Sequence, residues 1–247
     1  MTPGLGITIN EDALVSYLVH WRRDQLKIES VDFFYLSMQV VTDAGDGSQD
    51  ALVVRVRAGG IEGWGECDAS PLTSIALFVC PTSHGACRPV GASVIGEHVS
   101  TPGDIARIAV AIQWNSMDLL QAAHTWSGVE IALWDLLGKK RGEPVYKLLG
   151  YQRAYPKMPS ASQLFGDTEH QTLEFCREAL EAGYGAVKCG WGPCGRGSVK
   201  DDSDHLVSAR EGIGPESILL IDAGQIWGGD VAAAEARLPI LEQIRAT

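Results

Sequence analysis

The stretch Ile218-Leu219-Leu220-Ile221-Asp222-Ala223-Gly224-Gln225-Ile226-Trp227-Gly228-Gly229 decides how the second half of the chain is read. Four apolar residues in succession predict a strand buried on both faces. The run ends in a carboxylate and, two residues on, a glycine. Charge is costly inside such a strand, so Asp222 is expected at its open end, where it can meet water, a metal or a substrate. In a parallel barrel or a doubly wound sheet, chemistry collects at that end.

The same rhythm extends to either side. Met158 to Leu164 and Tyr184 to Cys189 are strand candidates. Asp167 or Thr168 begins a helix that Gly183 terminates, and Asp201 to Glu211 is a second helix. Val231 to Ile244 is a third, interrupted or kinked at Pro239. Residues 151–247 thus predict a β-α pattern repeated three times.

Before Gly150 the pattern differs. Leu26 to Val41 looks like a long strand, and Ala44 to Gln49 like a polar turn. Ala51 to Ala58 alternates clearly, Gly59 and Gly60 make a tight turn, and Ile61 to Cys67 returns. Three strands with short turns predict an antiparallel meander. Pro71 to Val99 reads as irregular. Thr101 or Asp104 can start a helix through Ile112, and Ser127 with Glu130 has the capping-box spacing for another. Glu130 and Asp135 are expected in solvent or at caps. Pro144 starts a short helix that Gly150 stops. The expected domains are an N-terminal extension over 1–25, an α+β unit over 26–150, and the repeated β-α unit over 151–247.

Composition bounds the function. The chain has 247 residues, 45% hydrophobic, with a formal charge of −11. That balance argues against nucleic acid and anionic membranes as partners. No segment reads as a membrane span or a secretory leader, so a cytoplasmic location is expected. Six cysteines without dense or repeated spacing read as free thiols. The histidines lack ligand-like spacing to them, which argues against zinc.

Lys188 lies between Val187 and Cys189 in an apolar strand, where lysine is unusual. Its alternation partners, Ala186 and Gly190, are small and leave room for the head group. Such a lysine suits proton transfer or charge neutralisation, or it snorkels out and only balances Asp222. Both readings stay open on the residues alone. Asp222 sits one βα unit later and can converge on the same face. A strand-end carboxylate supplies a hard oxygen for magnesium, or else acts as an N-cap. Gln225 and Trp227 could line that mouth, and Trp191 could wall it. The loop Gly190 to Gly197 has the glycine content of a phosphate cradle but not the order of residues that one needs. Within it, Arg196 is a candidate for a substrate carboxylate, with a solvated arginine as the default.

Several motifs together resemble the mandelate racemase/muconate-lactonising branch of the enolase superfamily. They are Gly63-Trp64-Gly65-Glu66, Ala132-Leu133-Trp134-Asp135, and the run Gly142-Glu143-Pro144-Val145-Tyr146-Lys147-Leu148-Leu149-Gly150. The resemblance implies an α+β cap domain, an antiparallel meander plus helices, over a (β/α)8 TIM-type barrel. It implies magnesium and removal of the proton next to a substrate carboxylate. Asp222 then matches the first magnesium ligand, at the end of barrel strand three. Lys188 matches the first lysine of a Lys-x-Lys pattern on strand two.

The second lysine position is Gly190, so the usual base for one substrate face is missing. A sugar-acid dehydratase with its base on a later strand fits better than a racemase or cycloisomerase. The family's other acidic ligands would lie beyond Thr247. The chain is therefore expected to be the cap with a partial barrel, its first three βα units only, C-terminally truncated relative to the family. By itself it is expected not to bind magnesium tightly, and a non-catalytic remnant is the alternative. Open sheet edges lead us to expect a homo-oligomer or another bound chain.

Overall fold

A computed structural model describes residues 25–41 and 50–246. The expected N-terminal extension, Gln25 apart, and the Ala44–Gln49 turn lie outside those residues. The described chain forms two compact units, one holding residues 25–38 and 50–154, the other 39–41 and 155–246.

In the first unit, β1 (Leu26–Leu36), β2 (Ala51–Ala58), β3 (Ile61–Cys67) and β4 (His98–Val99) form one sheet in the order β3-β2-β1-β4. All neighbours are antiparallel. Strand β2 shows why the meander was readable: Leu52, Val54, Val56 and Ala58 are buried, while the residues between them are half-buried. Gly59 and Gly60 both have positive φ, 57° and 77°, which suits a two-residue hairpin turn. Strand β1 ends at Leu36, five residues short of the expectation. The pairing of β4 with Leu26 and Lys27 was not foreseen.

Helices cover one face of this sheet. They are α1 (Pro71–Val79), α2 (Pro102–Asn115), α3 (Ala122–Arg141) and α4 (Val145–Leu148). Helix α1 and a 3-10 turn at Val90–Ser93 replace the irregular stretch expected there. The signal was Pro71 at the first helical position. Helix α2 starts as expected: the Asp104 carboxylate accepts from the Ser100 and Thr101 amides and the Thr101 hydroxyl. Helix α3 starts five residues before Ser127. That hydroxyl donates to the His124 carbonyl inside the helix, so the expected capping box is not formed.

Helix α3 lies unusually close to β3. A Cβ at Gly63 would sit 2.0 Å from the Ala132 carbonyl oxygen, and one at Gly65 2.2 Å from that of Gly128. Asp135 is not merely solvated. It accepts from the Trp64 amide at 2.8 Å and from Lys139 at 2.6 Å, tying the helix to the strand. Val129, Ala132, Leu133, Leu136 and Leu137 are fully buried on that side.

The second unit is a parallel sheet, β5 (Ala161–Leu164), β6 (Ala186–Gly190) and β7 (Ile218–Asp222), in that order. Helix α5 (Glu169–Glu181) follows β5 and α6 (Val199–Ile213) follows β6. Thr168 and Ser198 cap them, accepting from the Gln171 and Asp201 amides. After β7 come α7 (Val231–Glu235) and α8 (Leu238–Gln243), separated where Pro239 enters the first turn of α8. Proline lacks the amide that a continuous helix needs there. The parallel sheet has three strands and is not closed into a barrel, as a partial (β/α) barrel requires.

One expectation for β7 fails. Leu219 is fully buried, but Leu220 and Ile221 are half-buried and Ile218 is exposed. The strand is covered by helices on one face only. Beyond it a single parallel bridge joins Leu219 to Ala246. The covered face holds Val187, Cys189 and Leu219 against Cys176, Leu206, Ala209 and Ile213.

Candidate functional site

The register decides what shares the uncovered face. Ser162 pairs with Lys188, and Gly190 with Asp222, so all four alternate to the same side. The Lys188 ammonium donates to Asp222 Oδ2 at 3.0 Å, across 34 residues of chain. Each side chain keeps 38% of its surface exposed. Lysine from the middle of β6 therefore meets aspartate at the carboxyl end of β7, in a hollow of about 340 Å³. Ser162, Gln163, Leu164, Gly190 and Trp191 line the rest.

Asp222 is fixed at both oxygens. Oδ1 accepts the Gly224 amide at 2.9 Å while Oδ2 faces Lys188. The Gly224 amide, then the Lys188 ammonium, hold its carboxyl below the usual aspartate value. Asp222 is thus an anion at neutral pH.

Gly190 and Trp191 shape the floor and one wall. A Cβ at Gly190 would lie 2.7 Å from the Asp222 carbonyl oxygen. Real Cβ atoms do not approach backbone that closely, so a lysine at this position would push β6 and β7 apart. Trp191 adopts φ 55°, the left-handed region, which is strained for a bulky residue. Its indole covers Gly224, where a Cβ would come within 3.0 Å of the ring. The strain places an aromatic wall beside the Lys188–Asp222 pair.

Of the residues singled out from sequence, Lys188, Asp222 and Trp191 come together. Arg196 and Gln225 do not join them. Arg196 lines a separate hollow with Asp167, Glu169, Asp201, Asp204 and His205. The loop around Arg196 also departs from a phosphate cradle. Its Gly195 amide donates to the Asp202 carboxylate at 2.7 Å, and Asp202 pairs with buried Arg237 at 2.6 Å. An amide already held by a carboxylate is not offered to an anion. Gln225 is exposed in the turn after β7 and does not line the Lys188 hollow. Sequence reasoning missed Ser162, Gln163 and Leu164 as lining. Aligning β5 with β6 by alternation would have placed Ser162 opposite Lys188.

Magnesium takes several oxygen ligands in near-octahedral order. The residues lining this hollow include one carboxylate, already engaged by an ammonium. Among the described residues, no group of three or more His, Cys, Asp or Glu side chains could hold a metal ion. The described residues alone do not fit a magnesium site.

Parts of this chain resemble known proteins. The N-terminal domain model of mandelate racemase / muconate lactonizing enzyme matches residues 36–150. The crystal structure of a predicted mandelate racemase from Rhodobacter sphaeroides superposes with a TM-score of 0.83 at 60% identity, covering 90% of this chain and 56% of that one. The chain belongs to the mandelate racemase/muconate-lactonising branch of the enolase superfamily.

Two curated relatives are similar to part of this chain. The L-talarate/galactarate dehydratase of Salmonella typhimurium is 29% identical over 154 residues, 61% of this chain and 37% of its own length. A D-galactonate dehydratase family member of Catenulispora acidiphila is 33% identical over 179 residues, 71% of this chain and 38% of its own. The chain thus spans little more than a third of those two relatives. Among the described residues, no helix is long and apolar enough to cross a membrane.

Proposed function

We propose that this chain carries part of the active site of a magnesium-dependent sugar-acid dehydratase. The reaction removes the proton next to a carboxylate and then expels a neighbouring hydroxyl as water. The observation that carries the reading is the 3.0 Å contact of Lys188 with Asp222 in one mouth at the strand ends. Lys188 offers a cation to the substrate carboxylate or to the charge that develops on it after proton loss. Trp191 limits water on one side. Asp222 would supply one oxygen to a magnesium ion, whose charge would steady the anion left by proton loss; the described lining offers no second carboxylate to hold it.

Dehydration is favoured over racemisation by Gly190. Racemisation needs a base on each face of the substrate, and the strand-two position for one of them cannot hold a lysine here without displacing Asp222. A relative named as a dehydratase and a member of a dehydratase family support this reading, while a cycloisomerase and a racemase among the relatives support other chemistry. The match to a predicted mandelate racemase supports the second reading, proton removal and return without loss of water.

The test is turnover of a panel of sugar acids with magnesium by the protein in its complete natural form, beside its Asp222→Asn variant. The expected product is the keto-deoxy acid, and Asp222→Asn is expected to abolish it. Unchanged turnover in that variant would refute the assignment. The 247-residue chain should show no micromolar magnesium binding by calorimetry; such binding would show that its own residues complete the metal site.

A further inference from the structure

Behind the mouth, on the covered face of the sheet, two thiols meet. Cys176 of α5 and Cys189 of β6 are both fully buried, with their sulfurs 3.7 Å apart. The Gln163 side-chain amide donates to both, at 3.4 Å to Cys176 and 3.7 Å to Cys189. The proposed reaction uses none of these groups.

We propose that Cys176 and Cys189 form a peroxide-oxidisable pair that closes to a disulfide between α5 and β6. The partners differ in character. The hydrogen bond between the sulfurs, together with burial, pushes the Cys176 thiol up. The same bond draws Cys189 down, helped by the Gln163 amide and opposed by burial. That direction favours Cys189 as the attacking sulfur.

The chemistry balances with hydrogen peroxide as the oxidant. The Cys189 thiolate attacks one peroxide oxygen, the O–O bond breaks, and the departing hydroxide takes up a proton as water. Cys189 is left as the sulfenic acid. Cys176 sulfur then attacks Cys189 sulfur. The S–S bond forms, the S–O bond breaks, and the hydroxide leaves with the Cys176 proton as a second water. Two electrons pass from the two sulfurs to one peroxide.

Access runs past one side chain. Gln163 is half-buried and also lines an open hollow of about 460 Å³ with Phe175, Glu178 and Ala179. Rotation of Gln163 would open that hollow to the sulfurs, and peroxide is small enough to follow. The other buried cysteines are poorer candidates. Cys67 donates to the His124 carbonyl at 2.9 Å, and burial pushes the Cys194 thiol up to about 12.

The experiment exposes the reduced, folded chain to hydrogen peroxide, quenches it with N-ethylmaleimide, and maps the peptides by mass spectrometry. The expected result is a Cys176–Cys189 cross-link, two hydrogens lighter, reversed by dithiothreitol and formed several-fold faster than in urea. In Cys176→Ser, dimedone should label Cys189. Two results would overturn the proposal. One is oxidation of half-buried Cys80 and Cys87 while Cys176 and Cys189 stay reduced. The other is a cross-link that forms no faster in the folded chain than in urea.

Discussion

Gly190 shows how one missing side chain shapes the site. Its Cα lies so near the Asp222 backbone that a Cβ would stand 2.7 Å from the carbonyl oxygen. Restoring the second lysine of the family pattern, Gly190→Lys, should therefore not simply add a base. It should destabilise the chain by about 1–3 kcal/mol, as overpacking does, and weaken the Lys188–Asp222 contact. Urea unfolding checks this, and an unchanged midpoint would contradict it. Lys188 and Asp222 were legible in the sequence because a charge inside an apolar run, or at its end, is conspicuous. Gln225 was read from proximity along the chain, and a turn need not aim each of its residues at the same mouth. Arg196 was read from composition, but its loop is anchored by the Asp202 carboxylate on the following helix, seven residues on from the Gly195 amide that it holds, which glycine content does not reveal.

Elements hold together through two contacts of different kinds. In the first unit, α3 rests on β3 at Gly63 and Gly65 with almost no side-chain spacing. Gly63→Ala should cost about 3 kcal/mol, at the upper end for overpacking, because the opposing atom is backbone and cannot rotate away. A thermal or urea midpoint equal to that of the parent would contradict the packing. In the second unit, buried Asp202 and Arg237 join α6 to the chain before α8 at 2.6 Å, and Arg237 also stacks over Trp227 at 5.1 Å. Asp202→Ala should destabilise by about 3–5 kcal/mol, since it leaves a buried guanidinium unpaired. Adding Arg237→Met should recover much of that loss, and a double variant as unstable as the single one would contradict the account. The meander and the β-α repeats could be read because alternation and capping residues are local. Helix α1 was missed because its stretch is rich in Ser, Gly and Cys on both sides. The start of α3 was misplaced because Ser127 and Glu130 satisfy a capping pattern by spacing while the helix has already begun.

At the scale of the molecule, function depends on bringing distant residues to one end of a sheet. Lys188 and Asp222 are 34 residues apart and meet only if β6 and β7 run parallel in the observed register. A one-residue slip would send one of them to the helix-covered face. The burial of β7 could not be judged from its own four apolar residues, because it depends on which elements lie beyond it. The most direct test of the account is a carbon-13 titration of the Asp222 side chain in the folded chain and in Lys188→Met. The account predicts a parent midpoint below that of an ordinary aspartate, since the Gly224 amide and Lys188 favour the anion. Stability from that carboxylate is then fully present above its unfolded pKa and fades as pH falls through the folded one. In Lys188→Met the midpoint should rise while staying depressed by the Gly224 amide. The same midpoint in both proteins would mean that the two groups do not meet, and the proposed mouth would have no centre.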